Sequence, residues 1–436
     1  AATDGDDFVT LGQGAMQIVM GGGGTDTTLA QGAGTDGALP ENDSFFAGDR
    51  ATLVFDASAV GFQMLSLVSS EDADSYVSAG DDSFTTKDGD VRAILGHGAD
   101  TLIKGDGLSI VLGDAGSITV NPTTFKLNEM IYDVSAAAAH DGIDAVTSGD
   151  GLNYMIMGGG ADSVTVGNGE FVGLGDHGRI SFDANDVLRR VTTEVAEAER
   201  DNAIAFGGND RFQAGQGSRH VFMGGIGNDT VLAQVDLDGN ALPPGVANES
   251  YFAGDHAVLD FATQTIPDEL QTPMTIMRSV DWVAGPGDDS FTTGNGDVRA
   301  ILGVGSDRLV QGDGLGYVVG DTGLLNQDNP NAILTEIKSD PAGITLGNLG
   351  GDVWIAGDGE HIGVMGAGGD TVTLGDEDVQ VLLDHGVIQR DPNNGNLILA
   401  SDLNAIGSGD DVLQAGVGSG FVIGGGGNDE IKTGRT

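Results

Sequence analysis

The stretch GGGADSVTV at residues 158–166 indicates how this chain folds, because its pattern recurs from one end of the sequence to the other. Its centre is the element Gly-x-Asp-x-apolar, in which Asp162 is the acidic residue and Val164 the apolar one. A fixed internal period of this kind is typical of a repeat architecture. We call the recurring acidic residues the Asp ladder. They are Asp7, Asp26, Asp82, Asp100, Asp144, Asp162, Asp210, Asp229, Asp289, Asp307, Asp352, Asp370, Asp411 and Asp429.

The ladder residues come in pairs with almost constant spacing. The two members are 18 residues apart in five pairs and 19 apart in the pairs 7/26 and 210/229. Two halves of about nine residues, each a glycine turn followed by a short strand, account for this spacing. The residue two places after each Asp is apolar in most copies, as in Phe84, Phe212, Phe291 and Trp354, and we expect it to face the core. The sequence therefore predicts an all-β fold, a parallel β-solenoid (β-roll) with about 18 residues per coil.

A longer period contains the shorter one. GDDSFTT at 80–86 recurs at 287–293, and GDVRAILG at 89–96 recurs at 296–303. The repeating unit is therefore about 205 residues long and holds three modules. We expect a first super-repeat at 1–209, a second at 210–410, and the start of a third at 411–436.

Each module ends in a second kind of acidic residue, in most copies after glycine, which we call the corner Asp. A stretch of alternating polar and apolar residues follows, for example at 118–136 and 179–195. Such alternation predicts β-hairpin insertions in each module, and a short helix near 192–200 is compatible with the sequence. The corner Asp residues are Asp49, Asp114, Asp176, Asp255, Asp321 and Asp384.

The charge of the chain restricts its partners. Lys and Arg total 18 against 66 Asp and Glu, so the formal net charge is −48. Such a field excludes a nucleic-acid surface and disfavours anionic lipid, because both require a basic face. No apolar run approaches the roughly 18 residues of a membrane span, so membrane insertion is not expected. With no cysteine to form disulfides, the composition favours a cation as the stabilising partner.

The spacing of the ladder indicates which cation. Successive coils of a solenoid lie about 4.8 Å apart, so Asp82 should lie over Asp100, and Asp144 over Asp162. Carboxylates at that distance repel each other by a few kcal/mol at an effective dielectric near 20. Carboxylate and turn carbonyl oxygens form the shell that Ca²⁺ prefers, whereas Mg²⁺ demands octahedral geometry and retains water. We therefore predict several Ca²⁺ ions, about seven or more, bound by the fourteen ladder residues.

A second acidic position follows each ladder residue by six places in several copies. Asn or Gln occupies it in others, so these residues either bind cations or cap turns through side-chain hydrogen bonds. We call this set the outer ladder. Its acidic members are Asp88, Asp106, Asp150, Asp313, Asp358 and Asp376.

The repeats resemble those of the repeats-in-toxin (RTX) family of secreted proteins, whose unit is Gly-Gly-x-Gly-x-Asp-x-apolar-x. Similar copies here are GGGADSVTV (158–166), GHGADTLIK (96–104) and GGGGNDEIK (424–432). The resemblance implies a β-roll in which the Asp and turn carbonyls of neighbouring coils share Ca²⁺. It also implies type I secretion to the extracellular medium or the bacterial cell surface. This chain departs from the pattern where Val91, Ser109, Asn153 or Phe171 fills the Asp slot of alternate nonapeptides, so we expect one calcium line.

Catalytic patterns are missing from the sequence. There is no GxSxG, no HExxH, no GxxxxGK[ST] and no i, i+4 pair among the seven histidines. The Asp-His-Gly copies at 176–178 and 384–386 are interpreted as turns. Repeats occupy the whole chain, which favours a protein without enzymatic activity.

These observations favour a calcium-stabilised extracellular structural or adhesive repeat protein, such as a surface layer, matrix fibre, filament or adhesin stalk. The chain would fold on binding Ca²⁺ after secretion. Because it begins and ends inside repeats, we expect self-association or continuation into a longer array. The alternative is a calcium-triggered secretion or carrier segment of an RTX toxin or secreted enzyme. A third class, ice or carbohydrate binding on a flat face, is disfavoured because no threonine ladder runs through every coil.

Overall fold

The computed structural model of this chain describes most of its residues, and every regular element named below is a β-strand. The described ranges are 5–12, 16–30, 43–56, 63–69, 80–132, 141–194, 205, 207–235, 248–262, 273–280, 287–328, 333–340, 350–391, 396–401 and 407–434. The suggested helix near 192–200 lies outside them from residue 195 onward. Among these residues, no helix has the length and apolar character needed to cross a bilayer. The chain divides into two compact units, Ala1–Gly217 and Ser218–Thr436.

The first parallel sheet of each unit, the ladder sheet, is built from strands that begin on the residue directly after a ladder Asp. In the first unit its strands are β1 (Phe8–Leu11), β3 (Thr27–Ala30), β7 (Ser83–Thr85), β9 (Thr101–Ile103), β13 (Ala145–Ser148), β15 (Ser163–Val166) and β19 (Arg211–Ala214). In the second unit they are β21 (Thr230–Ala233), β25 (Ser290–Thr292), β27 (Arg308–Val310), β31 (Val353–Ile355), β33 (Thr371–Leu374), β37 (Val412–Ala415) and β39 (Glu430–Thr433).

The second parallel sheet of each unit, the back sheet, receives the chain after the next turn. In the first unit its strands are β2 (Met16–Met20), β4 (Asp43–Ala47), β8 (Asp90–Ile94), β10 (Ser109–Leu112), β14 (Asn153–Ile156) and β16 (Phe171–Leu174). In the second unit they are β20 (Arg219–Met223), β22 (Glu249–Ala253), β26 (Asp297–Ile301), β28 (Gly316–Val319), β32 (His361–Val364), β34 (Val379–Leu382) and β38 (Gly420–Ile423).

The core of each unit lies between these two sheets. Phe84 stacks on Phe46 with ring centroids 5.0 Å apart, and Phe291 stacks on Phe252 at 5.1 Å. The apolar residues two places after the ladder Asp are buried as predicted, and Trp354 is fully buried. The exceptions are Val9 on β1, which is half-buried, and Ile431 on β39, which is 42% exposed. The predicted all-β solenoid with long parallel sheets is confirmed.

The register places successive ladder residues one above the other. Ser83 pairs with Thr101 and Ala145 pairs with Ser163, each directly after a ladder residue. Asp82 therefore lies over Asp100 and Asp144 over Asp162, as the spacing of 18 residues predicts. Stacking of equivalent residues brings every coil's acidic turn next to the same turn of its neighbours.

A third, antiparallel sheet is formed by the predicted hairpins and is called here the hairpin sheet. In the first unit its strands are β5 (Ala51–Asp56), β6 (Gln63–Ser69), β11 (Gly116–Val120), β12 (Leu127–Tyr132), β17 (Arg179–Phe182) and β18 (Leu188–Thr192). In the second unit they are β23 (Ala257–Phe261), β24 (Met274–Ser279), β29 (Gly323–Gln327), β30 (Leu334–Ser339), β35 (Gly386–Arg390) and β36 (Leu397–Ser401).

The hairpins of one unit join each other edge to edge. Ile118 pairs with Leu67 of the preceding hairpin, and Met130 pairs with Ile180 of the following one. The resulting sheet packs on the back sheet through edge-on aromatic contacts such as Tyr154–Phe182, with centroids 5.3 Å apart. Because the first hairpin strand starts two or three residues after a corner Asp, this covering layer fixes the position of the corner residues.

Candidate metal centre

The ladder residues form a continuous line of hydrogen bonds within each unit. From the second ladder residue of each unit onward, the Oδ1 atom accepts a hydrogen bond from the backbone N–H of the ladder residue one coil earlier. Asp82 N lies 2.6 Å from Asp100 Oδ1, and Asp144 N lies 2.7 Å from Asp162 Oδ1. In the second unit Asp289 N lies 2.7 Å from Asp307 Oδ1 and Asp352 N lies 2.8 Å from Asp370 Oδ1. One oxygen of each carboxylate thus fixes the turn of the neighbouring coil.

The second oxygen of these carboxylates has a different environment. Ladder residues from Asp26 to Asp411 are at most 3% exposed, while Asp7 is exposed and Asp429 half-buried. A buried carboxylate oxygen without a donor costs several kcal/mol unless a positive charge lies nearby. Within the described residues, a buried Oδ2 atom that accepts no hydrogen bond occurs in Asp82, Asp100, Asp144, Asp162, Asp289, Asp307, Asp352, Asp370 and Asp411.

Turn carbonyls converge on the same region as these Oδ2 atoms. A Cβ atom on Gly48 would lie 2.2 Å from Asp82 Oδ2 and 1.8 Å from the carbonyl oxygen of Leu95. A Cβ on Gly113 would lie 2.4 Å from Asp144 Oδ2 and 2.0 Å from the Met157 carbonyl oxygen. Only glycine leaves this space open to both oxygens. Carboxylate and carbonyl oxygens around a cradle that a side chain would fill are a donor set suited to Ca²⁺.

The same cradle occurs in the second unit. A Cβ on Gly254 would lie 2.2 Å from Asp289 Oδ2 and 1.9 Å from the Leu302 carbonyl oxygen. The residues present therefore fit the cation that the sequence predicts, in both units. All fourteen ladder residues remain predicted ligands, and the matching cradle is present at Asp82, Asp144 and Asp289.

The corner Asp residues add a second set of buried carboxylates that the sequence analysis did not count as ligands. Asp49 Oδ2 accepts the backbone N–H of His97 at 2.8 Å, and Asp114 Oδ2 accepts that of Gly159 at 2.9 Å. The other oxygen, Oδ1, is buried and accepts no hydrogen bond from the described part of the chain in Asp49, Asp114, Asp321 and Asp384. The recurrence of Asp at every module end was the available signal in the sequence. The sequence did not reveal the hydrogen-bond partners of Asp49 and Asp114, because they lie 48 and 45 residues further along the chain.

Burial raises the pKa of these carboxyl groups, and neighbouring aspartates raise it further. Loss of hydration is the largest cause for Asp82 and Asp100, whose pKa values rise to about 8 and about 9, and Asp49 adds repulsion to both. In the second unit burial raises the pKa of Asp321 to about 7 and that of Asp411 to about 7. At neutral pH these groups therefore require either protons or cations.

The outer ladder is built alike but lies in solvent. Asp106 N lies 3.0 Å from Asp88 Oδ1, Asp150 N lies 2.8 Å from Asp106 Oδ1, and Asp358 N lies 3.0 Å from Asp313 Oδ1. These acidic residues are exposed, apart from the half-buried Asp376. Turn capping accounts for the outer ladder without a cation, because water reaches its remaining oxygens.

One further cluster was not predicted from sequence. Among the described residues, a single set of three His, Asp or Glu side chains brings its ligand atoms within 4.8 Å of one another, namely His97, Asp114 and Asp141. Successive members of this cluster are 17 and 27 positions apart, so no local sequence motif predicts it.

No family model, no curated protein and no solved structure matches this chain. The resemblance to the RTX family therefore rests on the repeat motif alone.

Proposed function

We propose that this chain is a calcium-stabilised extracellular structural or adhesive repeat protein of the RTX type, which folds on binding Ca²⁺ after secretion. The observation that carries the proposal is the line of buried Asp Oδ2 atoms that have no hydrogen-bond donor among the described residues, including those of Asp82, Asp144 and Asp289, which adjoin turn carbonyls. The resemblance of the repeats to those of secreted calcium-binding proteins adds the extracellular setting.

The ligands would come from neighbouring coils. Asp82 and Asp100, with the Leu95 carbonyl and the corner residue Asp49, supply oxygens on one set of turns, and Asp144 and Asp162 do so on the next. Bound Ca²⁺ would supply the positive charge that these oxygens need and bridge adjacent coils. The remaining tasks fall to the chain itself. Oδ1 of each Asp fixes the neighbouring turn, glycine keeps the space beside Oδ2 open, and the parallel sheets set the distance between coils.

The proposal also accounts for the large net negative charge of the chain. One ion for each of the seven ladder pairs would offset 14 of the 48 net negative charges. Without cations the remaining repulsion and the buried carboxylates oppose folding at neutral pH. We expect an unfolded, export-competent chain where calcium is scarce and a folded one outside the cell, where binding energy becomes folding energy.

A pair of matched substitutions tests the role of the ladder. Asp144→Asn keeps the Oδ1 acceptor for Asp100 N but removes the buried charge, whereas Asp150→Asn makes the same change on the exposed outer ladder. We expect Asp144→Asn to lower the calcium stoichiometry by about one. We also expect it to reduce the calcium-dependent gain in unfolding free energy by about 1.4 kcal/mol or more, a tenfold loss at one site. Asp150→Asn should change neither. Equal effects of both substitutions would overturn the assignment.

The extracellular role is tested on intact cells of the source organism. Antibody against the chain should label the cell surface or surrounding matrix without permeabilisation, and a calcium chelator should make the labelled protein sensitive to added protease. Labelling that requires permeabilisation would contradict the proposal.

A further inference from the structure

Two neighbouring turns of the first unit carry polar side chains that belong to neither ladder. His97 and Asp141 each stand three residues before a ladder Asp, and a backbone bridge between Gly98 and Asp141 places their turns side by side. His97 Nδ1 lies 3.2 Å from Asp141 Oδ1. The Tyr132 hydroxyl, at the end of β12, donates a hydrogen bond to Asp141 Oδ2.

The corner residue Asp114 completes this group. It is 0% exposed, its Oδ2 atom accepts the Gly159 N–H at 2.9 Å, and its buried Oδ1 atom accepts no hydrogen bond within the described structure. The ligand atoms of His97, Asp114 and Asp141 all lie within 4.8 Å of one another. An imidazole nitrogen and a carboxylate thus lie close to a buried aspartate, one oxygen of which accepts no hydrogen bond from the residues that the structure describes.

One known distance within the group fits a small metal ion. Metal–nitrogen and metal–oxygen bonds of about 2.0–2.1 Å in a tetrahedral shell put neighbouring ligand atoms roughly 3.3 Å apart. His97 Nδ1 and Asp141 Oδ1 are hydrogen-bonded at 3.2 Å, and this distance matches that edge, so a metal ion would take the place of the shared proton. Imidazole suits zinc and similar ions, whereas Ca²⁺ takes oxygen ligands, so this chemistry differs from that of the ladder.

The internal repeat provides a comparison within the same chain. The second super-repeat keeps the corner residue as Asp321, but it has Val304 in place of His97 and Ser339 in place of Tyr132. The sequence counterpart of Asp141 is Leu349, which lies outside the described residues. The solenoid therefore forms without the three polar side chains, and all three occur together around one corner residue.

We propose that His97, Asp114 and Asp141 form a binding site for one divalent transition-metal ion, with Zn²⁺ as the preferred occupant, in addition to any calcium on the ladder. Tyr132 acts as a positioning residue, because its hydroxyl holds Asp141 Oδ2 and leaves Oδ1 turned toward His97 Nδ1. The site depends on the side chains of one super-repeat only, so one such ion is expected per chain.

The test uses the full chain in saturating Ca²⁺, with Co²⁺ as a spectroscopic substitute for zinc. We expect one Co²⁺ per chain, with visible d–d absorption of a four-coordinate site that equimolar Zn²⁺ abolishes. His97→Val, which installs the residue found at the equivalent position of the second super-repeat, should remove this absorption while calcium stoichiometry and circular dichroism stay unchanged. Val304→Ala at that equivalent position is the matched control and should retain the full signal.

Three outcomes would overturn the proposal. They are no Co²⁺ bound by the calcium-loaded wild-type chain, an undiminished signal in His97→Val, or displacement of Co²⁺ by Ca²⁺ as readily as by Zn²⁺. If His97→Val does not fold, Asp141→Asn takes its place, since it preserves side-chain size and the acceptor for Tyr132. That variant should weaken Co²⁺ binding at least tenfold, and unchanged binding would again contradict the site.

Discussion

In nine buried ladder aspartates, the two carboxylate oxygens have different surroundings. In Asp100, for example, Oδ1 accepts the N–H of Asp82 at 2.6 Å, whereas Oδ2 is buried and accepts no hydrogen bond from any residue that the structure describes. An ordinary turn Asp needs only the first contact. The surroundings of the second oxygen therefore distinguish a ladder that binds cations from one that only caps turns.

The raised pKa values make the stability of the metal-free chain depend on pH. Folded pKa values of about 7 for Asp162, about 8 for Asp82 and about 9 for Asp100 exceed the ordinary value of 3.8. Between those limits the folded state binds more protons than the unfolded state, so its stability falls as pH rises. We expect the calcium-free chain to show more β-structure by circular dichroism at pH 5 than at pH 8, with saturating Ca²⁺ removing the difference. A β-content that rises from pH 5 to pH 8 without calcium would contradict this.

Glycine beside the ladder should be irreplaceable. A Cβ on Gly48 would lie 1.8 Å from the Leu95 carbonyl oxygen and 2.2 Å from Asp82 Oδ2, so the backbone must shift. We expect Gly48→Ala to lower the unfolding free energy in Ca²⁺ by about 1–3 kcal/mol or more. Gly12→Ala is the control, because its Cβ would meet nothing within 4 Å, and its effect should stay within about 0.5 kcal/mol. Equal urea midpoints for the two variants would refute the steric account.

Sequence reasoning located the ladder residues because their period is constant and short. It did not predict that Asp114 would lie against Asp141 and His97, since those contacts depend on how a turn, a corner and a neighbouring coil meet. Residues 17 to 44 positions apart become neighbours only after coils stack and the hairpins fold over the back sheet. A single histidine without a neighbouring ligand motif does not predict a metal site, so the sequence did not identify His97 as a ligand.

At the scale of elements, each coil contributes one strand to the ladder sheet and one to the back sheet, and the core lies between them. The alternation is visible within β9, where Leu102 is 0% exposed and its neighbour Ile103 is 46% exposed. Two apolar residues of similar size thus have opposite environments in one strand, which allows a direct comparison.

Replacement of these two neighbours by alanine should have unequal effects. Leu102→Ala leaves a cavity between the sheets and should cost about 2–5 kcal/mol of unfolding free energy. Ile103→Ala removes an outward side chain and should change stability by no more than about 0.5 kcal/mol. Urea unfolding in saturating Ca²⁺ measures both, and similar losses would contradict the assigned strand orientation.

The parallel sheets could be predicted from the period of 18 residues, and the hairpins from the alternation of polar and apolar residues. The pairing of one hairpin with the next could not be predicted. Ile118 meets Leu67 across an edge that joins two different modules, and no local pattern of residues specifies such a partner. The hairpins therefore form a third layer in each unit, where the sequence predicted separate insertions.

At the scale of the whole molecule, two compact units repeat one design of three sheets and one buried acidic line. The net charge of −48 is concentrated in a repeat that places like charges in adjacent coils. Stability in such an array comes from contacts between neighbouring coils, so a stabilising ion at each step would act along its whole length. Composition and period together could predict this dependence, while the number and identity of bound ions require measurement.

The most direct test of the account is a calcium titration of the metal-free chain at neutral pH, followed by circular dichroism with ion content from elemental analysis. The account predicts a cooperative change from coil to β-structure with about seven or more Ca²⁺ per chain, one for each ladder pair. An unchanged β-spectrum in chelator, with no ion bound, would mean that the ladder only caps turns, and it would contradict the calcium mechanism while leaving the solenoid intact.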